Sequence, residues 1–188
     1  MKVIKTDFPD LFVIEPKVFE DNRGYFFESF NSKAYQESGI NITFVQDNES
    51  KSSYGVIRGL HYQLSPYAQT KLIRVVSGKI LDVVVDIRQN SPKFGKYFSI
   101  ELSFENKIQL LVPKGFAHGF AVLSDAATVF YKCDNYYKQE AERGICYNDP
   151  KLGIDWKIDI EKAIVSSKDK VHPDLINAEM NFLYGSIH

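Results

Sequence analysis

Basic runs, long apolar runs and a cysteine framework are all missing from this sequence, and each absence removes a class of function. No run of lysines or arginines offers a footprint for nucleic acid, and a formal net charge of -1 leaves any anionic ligand to be met by a few local cations. Met1 leads directly into Lys-Val-Ile-Lys-Thr-Asp, with no signal peptide and no span-length apolar stretch, so no membrane partner is expected and the cytoplasm is the expected compartment. Cys133 and Cys146 are the only cysteines, too few for a disulfide framework and too widely spaced for a zinc knuckle. They read as reduced, structural thiols. No repeat, linker or low-complexity tract divides the 188 residues, which suit one domain, 1–188, with a sizeable core.

What the chain has in quantity is aromatic side chains. Its 14 Phe and 11 Tyr, with Trp156 alone, favour strands over helices. Leu11 to Phe19 reads as a strand whose Pro16 suits an edge, and it need not pair within its own subunit. Tyr25 to Phe30 resumes as an aromatic strand after the turn Asp21-Asn22-Arg23-Gly24, and Asn31 caps a helix over Ser32 to Ser38 that Gly39 ends. Ile42 to Asn48 alternates, so Gln46 and Asn48 either continue an apolar face into a pocket or mark a strand end emerging into solvent; Glu49 to Tyr54 reads as a mobile loop. Leu72 to Val76 and Lys79 to Ile87 read as a hairpin joined at Ser77-Gly78. Further strands follow at Tyr97 to Ser103, Ile108 to Val112, Phe116 to Leu123 and Thr128 to Cys133, and Leu175 to Leu183 has helical spacing. Many short strands with connecting turns argue for an antiparallel sandwich or barrel, and a jelly roll with short peripheral and C-terminal helices is the expected fold.

The stretch Gly55 to Lys71 gathers Arg58, His61, Gln63 and Lys71. Strict alternation over Val56 to Gln63 separates Arg58 from His61, but a bulge at Gly59 resets it and turns both toward one cavity. Lys71 enters from the next strand. A histidine titrates near neutrality and a lysine supplies fixed positive charge, a pair suited to removing a proton beside a carbonyl and stabilising the resulting oxyanion. Each also has an ordinary reading, His61 as a satisfied core histidine and Lys71 as a lysine with its stem along apolar surface.

Ordered motifs across nearly the whole chain strengthen the first reading: Asp21-Asn22-Arg23-Gly24 with Glu28, Gln46-Asp47-Asn48, Gly55 to Gln63, Lys71, Asp82 to Arg88, Pro113 to Phe120, Tyr131-Lys132-Cys133 and Ser167-Lys168-Asp169. In these the chain resembles the dTDP-4-dehydrorhamnose 3,5-epimerase family, cupin-type enzymes acting on a nucleotide-linked 4-keto-6-deoxyhexose. The resemblance implies His61 as base, Asp169 as its partner, Lys71 beside the keto oxygen and Tyr131 as acid on the opposite ring face, with Arg58 and His118 in the same pocket. It places Arg23, Glu28, Gln46, Asn48, Tyr137, Glu142 and Lys168 around the nucleotide sugar, with Tyr137 stacking on the base. It also implies a homodimer exchanging a segment of about residues 1–30, so that Arg23 and Glu28 serve the partner's site.

Inversion at C3 and C5 beside a C4 ketone needs no metal or redox cofactor, and His61, His118, His172 and His188 form no close pair in the sequence, so neither is expected. The alternatives are an epimerase of C3 alone or of another 4-keto sugar, a sugar-binding cupin without turnover, and a metal-dependent cupin.

Overall fold

The computed structural model describes residues 1–186, so His188 lies outside the described residues. The chain runs through β1 (Lys2–Lys5), β2 (Phe12–Glu15), β3 (Phe19–Asp21), β4 (Gly24–Phe26), α1 (Ser32–Glu37), β5 (Gln46–Ser53), β6 (Val56–Gln63), β7 (Lys71–Ser77) and β8 (Lys79–Asp86). It continues through β9 (Tyr97–Ser103), β10 (Gln109–Val112), β11 (Phe116–Val122), β12 (Ala126–Cys133), β13 (Glu142–Gly144) and β14 (Ile164–Val165). One sheet has the order β1-β2-β10-β7-β12-β5 and the other β13-β6-β11-β8-β9, with β14 parallel to β6 at the far end of that edge. The two form the expected antiparallel jelly-roll sandwich.

Alternation decides what each face buries. Ile73 and Val75 of β7, Ile80 and Val84 of β8, Phe120 and Val122 of β11 and Val129 of β12 fill the space between the sheets. The odd residues of β8, Leu81, Val83 and Val85, point to the opposite face, where Leu152, Trp156 and Phe182 cover them. Burying one such side chain is worth roughly 1.5–3 kcal/mol, which holds this irregular C-terminal covering in place. On the far side of the other sheet, Tyr35 of α1 packs on Ile14, Leu72 and Leu111. Asn31 caps α1 as expected, its side chain accepting from the Ala34 N–H.

Several expectations need correction. β7 and β8 are not a hairpin: β7 lies between β10 and β12, while β8 lies between β11 and β9 in the other sheet. β8 is apolar on both faces and therefore takes a central place, and Gly78, at φ +76°, turns the chain from one sheet to the other where a Cβ would fall 2.0 Å from the Ala126 carbonyl oxygen. Glu49 to Tyr54 is not a loop, because β5 runs to Ser53 and pairs residue for residue with β12. Ile42 to Val45 precedes that strand, and β4 stops at Phe26. Leu175 to Leu183 forms no helix; its backbone is taken up elsewhere, Leu175 N–H donating to Asp149 Oδ2 at 2.8 Å and the Glu179 carbonyl accepting from the Tyr62 hydroxyl at 2.7 Å. The expected strand Leu11 to Phe19 breaks at Pro16, and its first part is not detached, since β2 pairs with β1 and β10 of its own chain. Beyond Pro16 the β3–β4 hairpin forms a two-stranded unit apart from both sheets.

Candidate active site

The inward columns that are apolar in the middle of the sandwich turn polar at one end. Lys71 precedes Ile73 on β7, Tyr131 follows Val129 on β12, and His118 precedes Phe120 on β11. Together with Arg58, His61 and Asp169 they line a cavity of about 650 Å³. β5 forms another wall, with Ser50 and Ser52 on its inward side. An adjoining cavity of about 270 Å³ shares His61, Lys71 and Tyr131 with the first and adds Gln46, Asn48, Gln63, Tyr137 and Glu142.

Gly59 brings Arg58 and His61 to one side. Across β6 and β11, His118 faces His61 and Phe120 faces Arg58, so β6 spends one extra residue between the two pairs. The two strands touch closely at the bulge: a Cβ on Gly59 would fall 2.5 Å from Gly119 Cα. Arg58 Nε donates to Ser52 Oγ at 2.9 Å, which steers the guanidinium along the wall.

His61 Nε2 lies 2.7 Å from Asp169 Oδ1, and Asp169 Oδ2 accepts from the Gly59 N–H at 3.2 Å. Burial works to raise the Asp169 carboxyl, but its bond to His61, the His61 charge and the Gly59 N–H outweigh burial and hold it below the usual carboxylate range. An ionised carboxylate only accepts, so the proton of this bond resides on His61 Nε2, and in the neutral ring Nδ1 keeps its lone pair. That is the tautomer a base requires.

Burial lowers the Lys71 ammonium, against opposing charge from Cys133, Asp82 and Glu142, and no ion-pair partner holds it among the described residues. Its Nζ lies 6.0 Å from the centre of the Tyr131 ring. Burial raises the Tyr131 hydroxyl, which stays protonated past the ordinary phenol range. His118 Nε2 lies 2.9 Å from the buried Asp82 Oδ2, so a second histidine–carboxylate pair adjoins the first.

The chain as a whole has counterparts among known proteins. Residues 5–177 match the family described as dTDP-4-dehydrorhamnose 3,5-epimerase. The chain is 55% identical over 170 residues to a dTDP-4-dehydrorhamnose 3,5-epimerase of Shigella flexneri, covering 90% of this chain and 93% of that one. The solved dTDP-4-dehydrorhamnose 3,5-epimerase of Elizabethkingia anophelis NUHP1 superposes with a TM-score of 0.88 at 53% identity, over 93% of this chain and 96% of that one. A dTDP-6-deoxy-D-glucose-3,5-epimerase of Legionella pneumophila Philadelphia 1, solved with dTDP-4-keto-L-rhamnose, superposes at 0.89 with 50% identity, over 94% and 93% of the two chains. The chain belongs to the dTDP-4-dehydrorhamnose 3,5-epimerase family.

Around this epimerase-family centre the remaining candidates divide. Lys168 lines the larger cavity and makes a 2.5 Å ion pair with Glu142, which also accepts from the Tyr137 hydroxyl at 2.7 Å. Burial works to raise Glu142, but Lys168 and Tyr137 together hold it low, while the bond to Glu142 pushes Tyr137 up to about 12. Gln46 accepts from the Tyr137 N–H at 3.0 Å and donates to Asn48 at 3.0 Å, so the smaller cavity has a tied polar floor. Gln63 is occupied internally: it donates to the Tyr67 carbonyl at 2.6 Å and accepts from the Lys138 N–H at 2.6 Å, fixing the loop that carries Tyr137. Arg23 and Glu28 line neither cavity; Arg23 pairs with Asp21 on the exposed hairpin and Glu28 accepts from Asn31.

Sequence reasoning gave Asp82 no role beyond opening the motif Asp82 to Arg88, yet it points inward to His118. It also missed Ser50 and Ser52, because an alternation of polar residues carries no hydrophobic period. His172 was set aside for want of a histidine neighbour in sequence, but the 3₁₀ turn at Asp169–Val171 brings its ring to 5.6 Å from that of His61. No helix among the described residues is long and apolar enough to cross a membrane.

Proposed function

We propose that this chain inverts C3 and C5 of dTDP-4-keto-6-deoxyglucose to give dTDP-4-keto-L-rhamnose in deoxysugar biosynthesis. The observation that carries the reading is that His61 and Tyr131 line one cavity from opposite sheets of the sandwich, with Lys71 lining it as well. A flat ring held between them meets a base on one face and an acid on the other. His61 Nδ1 takes the proton next to the C4 ketone, the Lys71 ammonium stabilises the enolate oxygen, and Tyr131 returns a proton to the opposite face. Each inversion leaves His61 with an added proton and Tyr131 without one. Exchange with solvent resets both before the second centre reacts.

The nucleotide occupies the flanks of the same space, with the Tyr137 ring available to its base and the cations of Arg58 and Lys168 to its diphosphate. The working unit is a homodimer. Its support is the β3–β4 hairpin, whose Phe19, Tyr25 and Phe26 are 53%, 45% and 67% exposed although all are large and apolar. Residues beyond Pro16, not the whole of 1–30, cross to the neighbour, and Arg23 and Glu28 there complete the partner's nucleotide site. The chain acts as one domain. A charged nucleotide sugar does not cross a membrane unaided, so the enzyme works in the cytoplasm where its substrate is made.

Incubation of the protein with dTDP-4-keto-6-deoxyglucose in deuterated water, followed by NMR of the sugar, tests this reading. Deuterium with inverted configuration at both C3 and C5 is expected. Label at C3 alone would assign the C3-only reaction, and no label at either centre would leave a binding protein without turnover.

A further inference from the structure

Three side-chain atoms converge on the side of the base that faces Asp169. His61 Nε2 is 2.7 Å from Asp169 Oδ1, His172 Nε2 is 3.6 Å from the same oxygen, and all three atoms lie within 4.8 Å of one another. The proposed reaction engages His61 and Asp169 but leaves His172 without a role. Its Nε2 is buried and has no hydrogen-bond partner. The ring also has a place made for it, because a Cβ on Gly144 would fall 2.4 Å from its Nε2. A buried ring nitrogen with no partner, aimed at a carboxylate that already holds another imidazole, is an incomplete ligand set.

We propose that His61, Asp169 and His172 bind a borderline transition-metal ion such as Zn²⁺ or Co²⁺, and that filling this site switches the base off. Two imidazoles and a carboxylate are the donor types such ions prefer, and three protein ligands leave a fourth tetrahedral position for water. Ligands about 2.0–2.1 Å from a tetrahedral ion lie roughly 3.3 Å from one another. The two separations from Asp169 Oδ1, 2.7 and 3.6 Å, bracket that value, and the two imidazole nitrogens, which lie within 4.8 Å of each other, draw together as the site closes. His61 is 30% exposed on its side chain and gives the ion a route in from the cavity.

Switching follows from the tautomer. An ion on His61 Nε2 displaces the proton there, and the neutral ring holds its one proton on Nδ1 instead. The lone pair that faced the sugar is then gone. The ion is an inhibitor of the reaction, not a participant in it. The inhibitory half of the proposal rests on His61 being the base, and the binding half does not.

The test uses metal-free protein. Co²⁺ titration should give visible ligand-field bands that saturate at one ion per chain and are displaced by Zn²⁺, while Mg²⁺, which prefers oxygen ligands, should do nothing. Zn²⁺ should shift the ring NMR signals of His61 and His172 together and leave those of His118 in place. His172→Gln should weaken Co²⁺ binding by about 10-fold or more, and turnover of the wild-type protein should fall in step with Zn²⁺ occupancy and return with EDTA. Unmoved His172 signals in the wild-type protein, or equal Co²⁺ affinity in a folded His172→Gln, would overturn the site and leave the base assignment standing. Zn²⁺ held by both histidines with turnover intact would overturn the switch and remove His61 as the base.

Discussion

His61 and His118 face each other across β6 and β11, and each directs its Nε2 to a carboxylate, Asp169 at 2.7 Å and Asp82 at 2.9 Å. The two pairs differ in accessibility, since the His61 side chain is 30% exposed and that of His118 only 8%. The cavity therefore reaches one imidazole more readily than the other, which fits His61 as the base. Asp169→Asn keeps the shape but presents an amide that can donate, so the ring can be held in the wrong tautomer. A loss of kcat on the order of 10²–10⁴-fold is expected, the range of a positioned acid–base group, with dTDP affinity little changed. Steady-state kinetics and calorimetry check both, and near-normal kcat would show that Asp169 does not set the tautomer.

Lys71→Ala should lower kcat by roughly 10²-fold or more, as removal of an oxyanion stabiliser does, while nucleotide binding survives. The pH profile gives an independent check. Burial places the Lys71 value below its ordinary 10.5, and burial raises Tyr131. Loss of the Lys71 ammonium therefore begins below the ordinary lysine value, so an alkaline limb of kcat/KM carried by Lys71 should lie below 10.5. Lys71→Arg keeps its charge at high pH and should move that limb upward in whatever activity remains. A limb that stays where it was in Lys71→Arg would assign it to another group.

Gly119→Ala tests the close approach that holds the bulge. The new Cβ would lie 2.7 Å from the Arg58 carbonyl oxygen and 3.1 Å from Gly59 Cα, and backbone cannot rotate aside as a side chain can. Overpacking of this kind costs about 1–3 kcal/mol. The unfolding free energy from denaturant titration should fall by that amount, and kcat should fall even in the folded fraction because Arg58 and His61 share the bulge. Unchanged stability together with unchanged kcat would show that the strands part without disturbing the site.

For the homodimer, sedimentation and solution scattering should report two chains, and Phe26→Asp on the exposed hairpin should shift the population toward monomer. Mixing inactive His61→Ala with inactive Arg23→Ala should restore some activity if Arg23 serves the neighbour's site. A stable, fully active monomer would contradict the exchange.

Much of this arrangement was legible in the sequence because the residues concerned carry strong local signals. Gly59 in an otherwise regular strand announced the bulge, and Ser167-Lys168-Asp169 was visible as a motif carrying Asp169. The failures have one physical source: local patterns report which faces are apolar, not which strand lies alongside. Ser77-Gly78 looks the same whether the chain returns beside itself or crosses to another sheet, and only the two-sided burial of β8 decides. The part of β5 beyond Asn48 escaped notice because its inward side chains, Ser50 and Ser52, line a wet cavity and follow a polar alternation. His172 and Asp82 come to their partners through tertiary folding, 111 and 36 residues apart from His61 and His118 in sequence. The apolar spacing of Leu175 to Leu183 was real, but it serves packing of an irregular segment instead of a helix.

The assignment of opposite roles to His61 and Tyr131 is tested most directly by following deuterium and configuration together. Wild-type protein, His61→Ala and Tyr131→Phe are each incubated with dTDP-4-keto-6-deoxyglucose in deuterated water, and NMR of the recovered sugar reports label and configuration at C3 and C5. His61→Ala should admit no deuterium at either centre. Tyr131→Phe keeps the ring but loses the donor, so His61 can remove a proton and return a deuteron to the same face, and exchange should outlast inversion. Full epimerisation by Tyr131→Phe, or persistent exchange in His61→Ala, would contradict a base and an acid divided between the two sheets.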